Sequence, residues 1–230
     1  MVETRARELF APLGPSYDRY ARLLSFGQDP RWRRFLVSRV SAGPRDEVLD
    51  VATGTGAVAL ELVRQKGCSV VGVDQSPEML AEARRRIATN RVSLVEASAD
   101  ALPFEDEAFD GLTAAYLLRY LSDLPAGLLG LARVLRAGAT ASFLDFGVPS
   151  AAAARALWNL YVDVGLPTLG RVISPGWHEV GRFLGGSIRE FDERWPVPRL
   201  LDAFREAGFE DVRARRLSLG GCTVVWGRRA

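Results

Sequence analysis

The chain has 230 residues, of which 48% are hydrophobic and 25% are charged, and its formal net charge is +2. This length and composition predict one soluble globular domain, and the small net charge argues against a nucleic-acid-binding protein. The two cysteines, Cys68 and Cys222, are isolated, which excludes a disulfide framework and fits a reducing cytoplasm. The first 16 residues lack the apolar core of an export signal, and no run of 18 apolar residues predicts a membrane-spanning helix.

Residues 1–42 are predicted to form a helical cover for the sheet that follows. Apolar residues recur at helical spacing from Leu9 to Val40, with interruptions at Gly14-Pro15 and Asp29-Pro30. Because this segment precedes the first predicted strand, we expect its helices to pack outside the sheet.

Residues 45–147 alternate between predicted strands and helices. The strands are predicted at 48–50, 69–73, 92–95, 109–115 and 141–146. The first strand ends at Asp50 and leads through Gly54 and Gly56 into an apolar helix. After the second strand, Ser76 is a good N-cap, with Pro77 at the first helical position. This order is typical of the βαβ unit that opens a nucleotide-binding sheet.

The remaining chain completes an α/β fold. Residues 148–195 break the alternation with scattered Gly, Pro and aromatic residues, and are predicted to be a lid-like insertion after strand five. A helix at 200–207 and a hairpin of 211–217 with 222–226 lie within residues 196–230. We therefore predict a single domain over residues 1–230, built on a doubly wound, seven-stranded and mostly parallel sheet.

The glycine loop, Gly54-x-Gly56-x-x-Ala59 with Asp74 downstream, is compatible with two ligands. A dinucleotide would place its pyrophosphate at the helix N-terminus. Asp50 at the mouth of the loop would repel that group by about 4 kcal/mol per charge pair at an effective dielectric constant of about 20. The same carboxylate would attract, directly or through water, the ammonium and sulfonium end of S-adenosylmethionine (SAM). The charges therefore favour SAM over NAD.

The loop is predicted to wrap the methionine end of SAM, and Asp74 to accept hydrogen bonds from the ribose hydroxyls. The N-terminal helices would then cover the mouth of this site. No residues have metal-ligand spacing, so no metal is predicted. The cofactor-binding residues that follow from the pattern alone are Asp50, Thr53, Gly54, Thr55, Gly56 and Asp74.

Motifs along almost the whole chain point to a known family. They are Tyr17-Asp18, Ser25-Phe26-Gly27 and Trp32-Arg33-Arg34; residues 49–56, 73–80 and 99–104; Phe109-Asp110, Leu118-Arg119 and Arg133-Val134-Leu135; and, in the insertion, Leu166-Pro167 and Ser187-Ile188. Together they resemble the ubiquinone/menaquinone biosynthesis C-methyltransferases, a family of class I SAM-dependent methyltransferases. The cofactor motifs are shared by many methyltransferases, whereas the N-terminal segment, Leu118-Arg119 and the insertion carry the narrower resemblance.

The resemblance implies transfer of a methyl group from SAM to a ring carbon of a polyprenylated benzoquinol or naphthoquinol. It adds Gln75 and Met79 to the cofactor-binding residues, and it places Asp100 and Ala101 beside the adenine. The sequence diverges from the family on the acceptor side. The departures from the family pattern are Tyr120, Ala21, Ala137-Gly138-Ala139, Gly181 and Val225.

Arg119 is the predicted catalytic residue. C-methylation of a quinol ring becomes feasible when a phenolic hydroxyl ionises, and a free phenol has a pKa of about 10, as tyrosine has. A guanidinium beside that oxygen would lower its pKa and stabilise the phenolate. Tyr120 is predicted to stack on the acceptor or relay its proton, and Asp145 at the end of strand five to accept a proton through water. Tyr116 and His178 are the alternatives for these roles.

The sequence thus predicts an enzyme, a SAM-dependent methyltransferase with demethylmenaquinol as the leading acceptor. Two alternatives stay open: another aromatic or polyketide-like acceptor, and a non-catalytic SAM-binding module. The predicted partner is a hydrophobic small molecule and not a nucleic acid. The predicted location is cytoplasmic, with peripheral contact at the inner face of the membrane, through residues 151–164, and homodimer formation as further options.

Overall fold

Seven strands form one mixed sheet in the computed structural model, which describes residues 9–230. The strands β1 to β7 are Glu47–Val51, Ser69–Asp74, Val92–Glu96, Phe109–Ala115, Leu135–Phe146, Phe209–Leu217 and Cys222–Arg229. Their order across the sheet is β3-β2-β1-β4-β5-β7-β6, and β7 runs antiparallel to both of its neighbours. This topology confirms the predicted doubly wound, mostly parallel sheet with a terminal hairpin.

Helices cover both faces of the sheet and its carboxyl edge. The α-helices α1 to α9 are Tyr17–Leu24, Asp29–Ser38, Ala57–Lys66, Pro77–Arg86, Leu124–Arg133, Ala152–Leu160, Leu166–Ile173, Pro175–Arg194 and Val197–Glu206. A 3-10 helix, Ala11–Ser16, precedes α1, and a π-helical turn, Tyr161–Gly165, joins α6 to α7. Residues 1–8 of the predicted N-terminal cover lie outside the described part of the chain.

The central strands carry apolar side chains on both faces because helices bury each face. On one face, Leu49 of β1 belongs to a cluster that includes residues of α5 and α9. On the other face, Val48 belongs to a cluster that includes residues of α2 and α3. Asp50 is the buried polar residue of β1, and its side chain lies where β1 approaches the loop to α3. The packing therefore brings the carboxyl ends of β1, β2, β4 and β5 to one edge of the sheet.

Strand β5 is longer than the 141–146 that the sequence pattern predicts. Leu135 pairs with Phe109, and the register then shifts so that Thr140 pairs with Gly111. The intervening residues include Gly138, which has a φ of 80°. A bulge of this kind interrupts the apolar alternation, so the first half of the strand carries no strand pattern.

The insertion after β5 is helical, with α6, α7 and α8 in sequence. Glycine allows two of these helices to touch through their backbones. A Cβ on Gly170 would lie 2.3 Å from the carbonyl oxygen of Trp177, and one on Gly181 would lie 2.8 Å from the Cα of Pro167. The glycines that make the segment look irregular in sequence are therefore the contacts between α7 and α8.

A third apolar cluster joins the insertion to the N-terminal helices. Leu13 and Leu24 pack there with Leu166, Trp177 and Val180. The insertion and the N-terminal helices consequently form one cover over the carboxyl edge of the sheet. Within residues 9–230, no helix combines the length and the hydrophobicity needed to cross a membrane.

Candidate active site

The loop between β1 and α3 has a backbone that only a glycine-rich sequence adopts readily. Gly54 and Gly56 have φ values of 56° and 79°. A Cβ on Gly56 would lie 2.8 Å from Ile87 Cδ1, whereas a Cβ on Gly54 would have no heavy atom within 4 Å. The loop is tied to β2 because the Thr53 amide donates to the carbonyl oxygen of Val73 at 2.9 Å. Gly54 therefore presents open backbone to the space above the loop.

Asp50 lies directly behind this loop and is 1% exposed. Its two carboxylate oxygens accept hydrogen bonds from Thr53 Oγ1 at 2.6 Å and from Thr113 Oγ1 at 2.7 Å. Burial raises the pKa of Asp50 to about 6, although both hydroxyl groups act to lower it. The carboxylate thus sits where a nearby positive charge would favour its ionised form.

Asp74 ends β2 and faces the same space. Its Oδ2 accepts from the amide of Gly54 at 2.8 Å, and its Oδ1 accepts from the amide of Ser76 at 2.9 Å. Burial raises the pKa of Asp74, and these amide donors act in the opposite direction. Each oxygen keeps lone pairs for a further donor, as hydrogen bonding by ribose hydroxyls would require.

These groups surround a cavity of about 140 Å³. The predicted cofactor residues that line it are Thr53, Gly54, Thr55, Asp74, Gln75 and Met79. Asp50 and Gly56 stand behind the lining and shape it. Asp100 accepts hydrogen bonds from the amide and Oγ of Ser122, at 3.4 Å and 2.6 Å, and neither Asp100 nor Ala101 is among the lining residues. Their contact with adenine stays a prediction.

Several residues of this lining are not among the cofactor-binding residues predicted from the sequence. Ala97 and Ala99 follow β3, and Leu117 and Leu121 follow β4. Their position directly after parallel strands could have indicated them, because ligands of such sheets bind outside the carboxyl ends of the strands. The N-terminal lining residue Tyr17 reaches the cavity only through the packing of the cover, so no local signal indicates it.

The N-terminal cover is fastened to the glycine loop by polar contacts. Thr55 Oγ1 donates to Asp18 of α1, and Arg86 of α4 forms an ion pair with the same carboxylate. Arg86 also donates to the carbonyl oxygen of Thr55 at 3.2 Å. These contacts hold α1 across the mouth of the cavity.

The three residues that are predicted to be catalytic, Arg119, Tyr120 and Asp145, lie close together. Arg119 forms a buried ion pair with Asp145, and its Nη2 donates to the Tyr120 hydroxyl at 2.8 Å. Burial acts to lower the pKa of Arg119, but Asp145 and Tyr120 outweigh it and the net shift is upward. Arg119 Nε is buried and has no hydrogen-bond partner within the described residues.

A second cavity, of about 320 Å³, lies beneath the insertion and is predominantly apolar. It shares Phe10, Tyr17, Tyr116 and Arg119 with the first cavity. Residues from the predicted lid segment that line it are Ala154, Leu157, Trp158, Tyr161 and Val162. The structure therefore places an apolar chamber against the cofactor side of the sheet.

His178 takes no part in either cavity. Its Nδ1 lies 2.9 Å from the carbonyl oxygen of Pro167, where it links α8 to α7. In residues 9–230 no group of three or more His, Cys, Asp or Glu side chains is arranged to hold a metal ion.

A profile of the ubiE/COQ5 methyltransferase family matches residues 1–229. The chain belongs to this family. A member from Geobacter sulfurreducens, the ubiquinone/menaquinone biosynthesis C-methyltransferase UbiE, is 36% identical over 231 residues, which cover 98% of this chain and 88% of the relative. The demethylmenaquinone methyltransferase of Thermus thermophilus is 39% identical over 224 residues, which cover 96% of this chain and all of the relative. Membership of the ubiE/COQ5 family makes the chain a methyltransferase and confirms the resemblance found in the sequence.

Solved structures agree with the fold of a ubiE/COQ5 family member. A SAM-dependent methyltransferase from Thermotoga maritima has a TM-score of 0.66 at 20% identity, with 97% of this chain and 99% of that chain covered. Geranyl diphosphate C-methyltransferase from Streptomyces coelicolor, solved with S-adenosyl-L-homocysteine (SAH), has a TM-score of 0.64 at 14% identity, with 88% and 79% covered. The class I methyltransferase fold is therefore confirmed.

Proposed function

We propose that this enzyme transfers a methyl group from SAM to a ring carbon of a prenylated quinol, with demethylmenaquinol as the leading acceptor. Two relatives of nearly full length are named for this chemistry, one as a ubiquinone/menaquinone C-methyltransferase and one as a demethylmenaquinone methyltransferase. Both relatives are named for methylation in quinone biosynthesis. Another aromatic acceptor and a non-catalytic SAM-binding role are therefore not favoured.

One observation carries the proposal: the apolar cavity and the cofactor cavity are adjacent and share lining residues. Tyr116 and Arg119 line both spaces. An acceptor ring placed at this junction has a cation and a phenol beside it, while its apolar tail extends among the insertion helices. Prenyl chains are hydrocarbon, so burying one in this cavity is favourable by about 25 cal/mol per Å² of apolar surface.

On the cofactor side, the chain supplies binding and orientation. When bound, SAM provides an electrophilic methyl group on a sulfonium centre. Asp50 balances positive charge from behind the loop, Gly54 leaves room for close approach of the backbone, and Asp74 orients the ribose. These fixed contacts align the cofactor with the acceptor for in-line displacement, and the helical cover excludes water.

On the acceptor side, Arg119 is proposed to bind the phenolic oxygen through its guanidinium group, because Arg119 lines both cavities. The positive charge would lower the pKa of that hydroxyl, and burial strengthens the effect because water screens the charge poorly there. Asp145 holds the guanidinium in place and is therefore proposed as a positioning residue. Tyr120 lines the cofactor cavity, and its hydroxyl accepts a hydrogen bond from the same guanidinium.

The mouth of the apolar cavity is proposed to face the membrane surface, where a prenylated acceptor dissolves. Phe26, Leu157 and Leu219 line the cavity and are 71%, 68% and 83% exposed. Exposed apolar groups around one opening are typical of contact with an apolar partner. A cytoplasmic enzyme in peripheral contact with the inner membrane face follows from this proposal, and a homodimer stays a prediction.

The experiment that tests the function is mass spectrometry of the purified protein with SAM and a short-chain demethylmenaquinol under reducing conditions. We expect the quinone to gain the mass of one methylene and SAH to accumulate in equal amount. Tight SAM binding without any gain on the quinone would contradict the proposed acceptor. A parallel incubation without quinone controls for hydrolysis of SAM.

A further inference from the structure

Tyr116 occupies an unusual place at the junction of the two cavities. It directly follows β4 with a φ of 62°, a left-handed conformation that is rare for an aromatic residue. Its amide donates to the carbonyl oxygen of Leu144 at 2.6 Å, and its ring stacks on Phe146 with centroids 4.6 Å apart. Backbone strain of this kind persists where the surrounding structure holds a side chain in a required position.

The hydroxyl of Tyr116 is directed at a buried carboxylate. It donates to Asp29 Oδ1 at 2.7 Å, and Arg33 Nε donates to the same oxygen at 3.0 Å. Asp29 is 5% exposed and begins α2 in the N-terminal cover. Burial raises the pKa of Tyr116 well above its usual value, and the negative charge of Asp29 adds to this effect. The phenol therefore stays protonated in the resting enzyme.

Asp29 also connects two environments. It lines the apolar cavity on one side and, on the other, a surface groove formed with Asp18, Arg22 and Arg33. A proton that reaches Asp29 from the cavity thus has a polar path towards solvent.

The other candidate bases do not meet an acceptor in this cavity. Arg119 is permanently protonated and cannot accept a proton. Asp145 lines neither cavity, and His178 is turned towards α7. Among the described residues that line the apolar cavity, Asp29 is the one carboxylate.

We propose that Tyr116 and Asp29 form the proton relay that ionises the acceptor hydroxyl, an inference that rests on the proposed quinol methylation. Tyr116 is the catalytic residue that touches the acceptor, and Asp29 acts through it. The acceptor O–H bond breaks, its proton passes to Tyr116 Oη, and the proton of Tyr116 passes to Asp29 Oδ1.

The atoms and charges balance over the reaction. The electron pair left on the acceptor oxygen is delocalised to the ortho carbon, which forms the new C–C bond to the methyl group. The electron pair of the broken C–S bond remains on sulfur. The methylated ring carbon then loses its hydrogen as a proton to water, and the relay returns its proton to the oxygen. One proton is released in total.

The test compares Tyr116→Phe and Asp29→Asn with the wild type. Both substitutions conserve shape, and Tyr116→Phe retains the stacking on Phe146. Turnover of a short-chain demethylmenaquinol should fall about a hundredfold in each, as expected for loss of a general base. SAM affinity measured by calorimetry should not change. Tyr20→Phe is the matched control. It also removes one tyrosine hydroxyl, but Tyr20 belongs to α1 of the N-terminal cover and lines neither cavity.

A more acidic acceptor separates a relay from a packing role. Fluorine on the ring that is not methylated lowers the pKa of the quinol hydroxyl, so this acceptor needs less help to ionise. The loss in Tyr116→Phe should shrink to about tenfold with the fluorinated quinol. An equal loss with both acceptors would overturn the relay, and so would full activity of the variant. If Asp29→Asn does not fold, the comparison of the two acceptors in Tyr116→Phe still tests the relay.

The proposed function and the relay fail in distinguishable ways. If the wild type methylates neither quinol, the acceptor assignment is wrong. If the wild type methylates both and the variants keep its rate, the relay alone is wrong.

Discussion

The guanidinium of Arg119 and the carboxylate of Asp145 form an ion pair whose side chains are only 2% and 5% exposed. Burial of two charges costs desolvation energy, which their attraction repays only with good hydrogen bonding. Asp145 also accepts from the amide of Phe146 at 2.8 Å, and Arg119 also donates to Tyr120. The pair is therefore well satisfied except at Arg119 Nε, which is buried and has no hydrogen-bond partner within the described residues.

The first prediction concerns the stability of this pair. Arg119→Ala should lower the free energy of unfolding by about 3–5 kcal/mol, because it leaves the buried carboxylate of Asp145 without its counter-charge. The double variant Arg119→Ala/Asp145→Asn should lose less than the sum of the single variants. Urea denaturation of all four proteins in a double-mutant cycle gives the coupling energy, and additive losses would refute the pairing.

The second prediction concerns the role of Arg119 in turnover. Arg119→Lys keeps a positive charge for Asp145 but lacks the planar fork and the Nε–H group. Turnover of demethylmenaquinol should fall roughly a hundredfold, as for loss of one oxyanion donor. Calorimetry should find SAM affinity unchanged. Arg182→Lys, on the exposed face of α8, is the control. If Arg119→Lys turned over at the rate of the wild type, turnover would not need the guanidinium of Arg119.

The third prediction concerns Asp74. Asp74→Ala removes the acceptor of the Gly54 amide and the proposed acceptor of the ribose hydroxyls. Hydrogen bonds to a charged group contribute about 1.5–3 kcal/mol each, so SAM affinity should weaken more than about tenfold. Asp202→Ala removes the same charge from the surface of α9 and should leave affinity unchanged. Unchanged affinity of Asp74→Ala in a calorimetric titration would contradict the site.

The fourth prediction is a pH dependence caused by Asp50. Burial raises its pKa to about 6 in the folded state, above the usual value of 3.8. Its contribution to stability is therefore complete below the lower value and is lost as the pH rises through about 6. Asp50→Asn lacks this loss. A shift of one pKa unit corresponds to about 1.4 kcal/mol. The difference in unfolding free energy between variant and wild type, measured without SAM, should therefore change by roughly 3 kcal/mol at most between pH 4 and pH 7.

SAM binding should respond to the same titration in the opposite direction. A positive ammonium group favours the ionised form of Asp50, so the wild type should bind SAM more tightly at pH 7 than at pH 5. Calorimetry of Asp50→Asn should show little change over this interval. A variant with the same pH dependence as the wild type would show that another group is responsible.

The fifth prediction concerns the contact between α7 and α8. Gly181→Ala forces a Cβ against the backbone of Leu166 and Pro167, and overpacking of this kind costs about 1–3 kcal/mol. The thermal midpoint should fall and the KM for demethylmenaquinol should rise, because these helices line the acceptor cavity. Gly186→Ala on the same helix has open space around its Cβ and should be neutral or slightly stabilising. Equal effects of the two substitutions would contradict the close approach.

The sheet and the cofactor loop were accessible from the sequence because their signals are local. Strand β4 coincides with the predicted 109–115, since a buried strand is an apolar run with clear ends. The charge of Asp50 beside the glycine loop was enough to favour SAM over NAD. The prediction for Asp100 had the least support in the sequence, because the neighbours of an acidic residue in a loop do not determine where its side chain points.

The acceptor side was decided only by the tertiary structure. The sequence by itself predicted the seven strands in their order along the chain, the cofactor loop and the family resemblance. Tyr116, Asp29 and Leu219 are far apart in the chain, and they line one cavity only because α2, β4 and the final hairpin pack beneath the insertion. Sequence periodicity reports which face of an element is buried, but it does not report what it is buried against. A cavity is the space that non-local packing leaves unfilled, so its lining and the hydrogen bond from Tyr116 to Asp29 form only when the chain is folded.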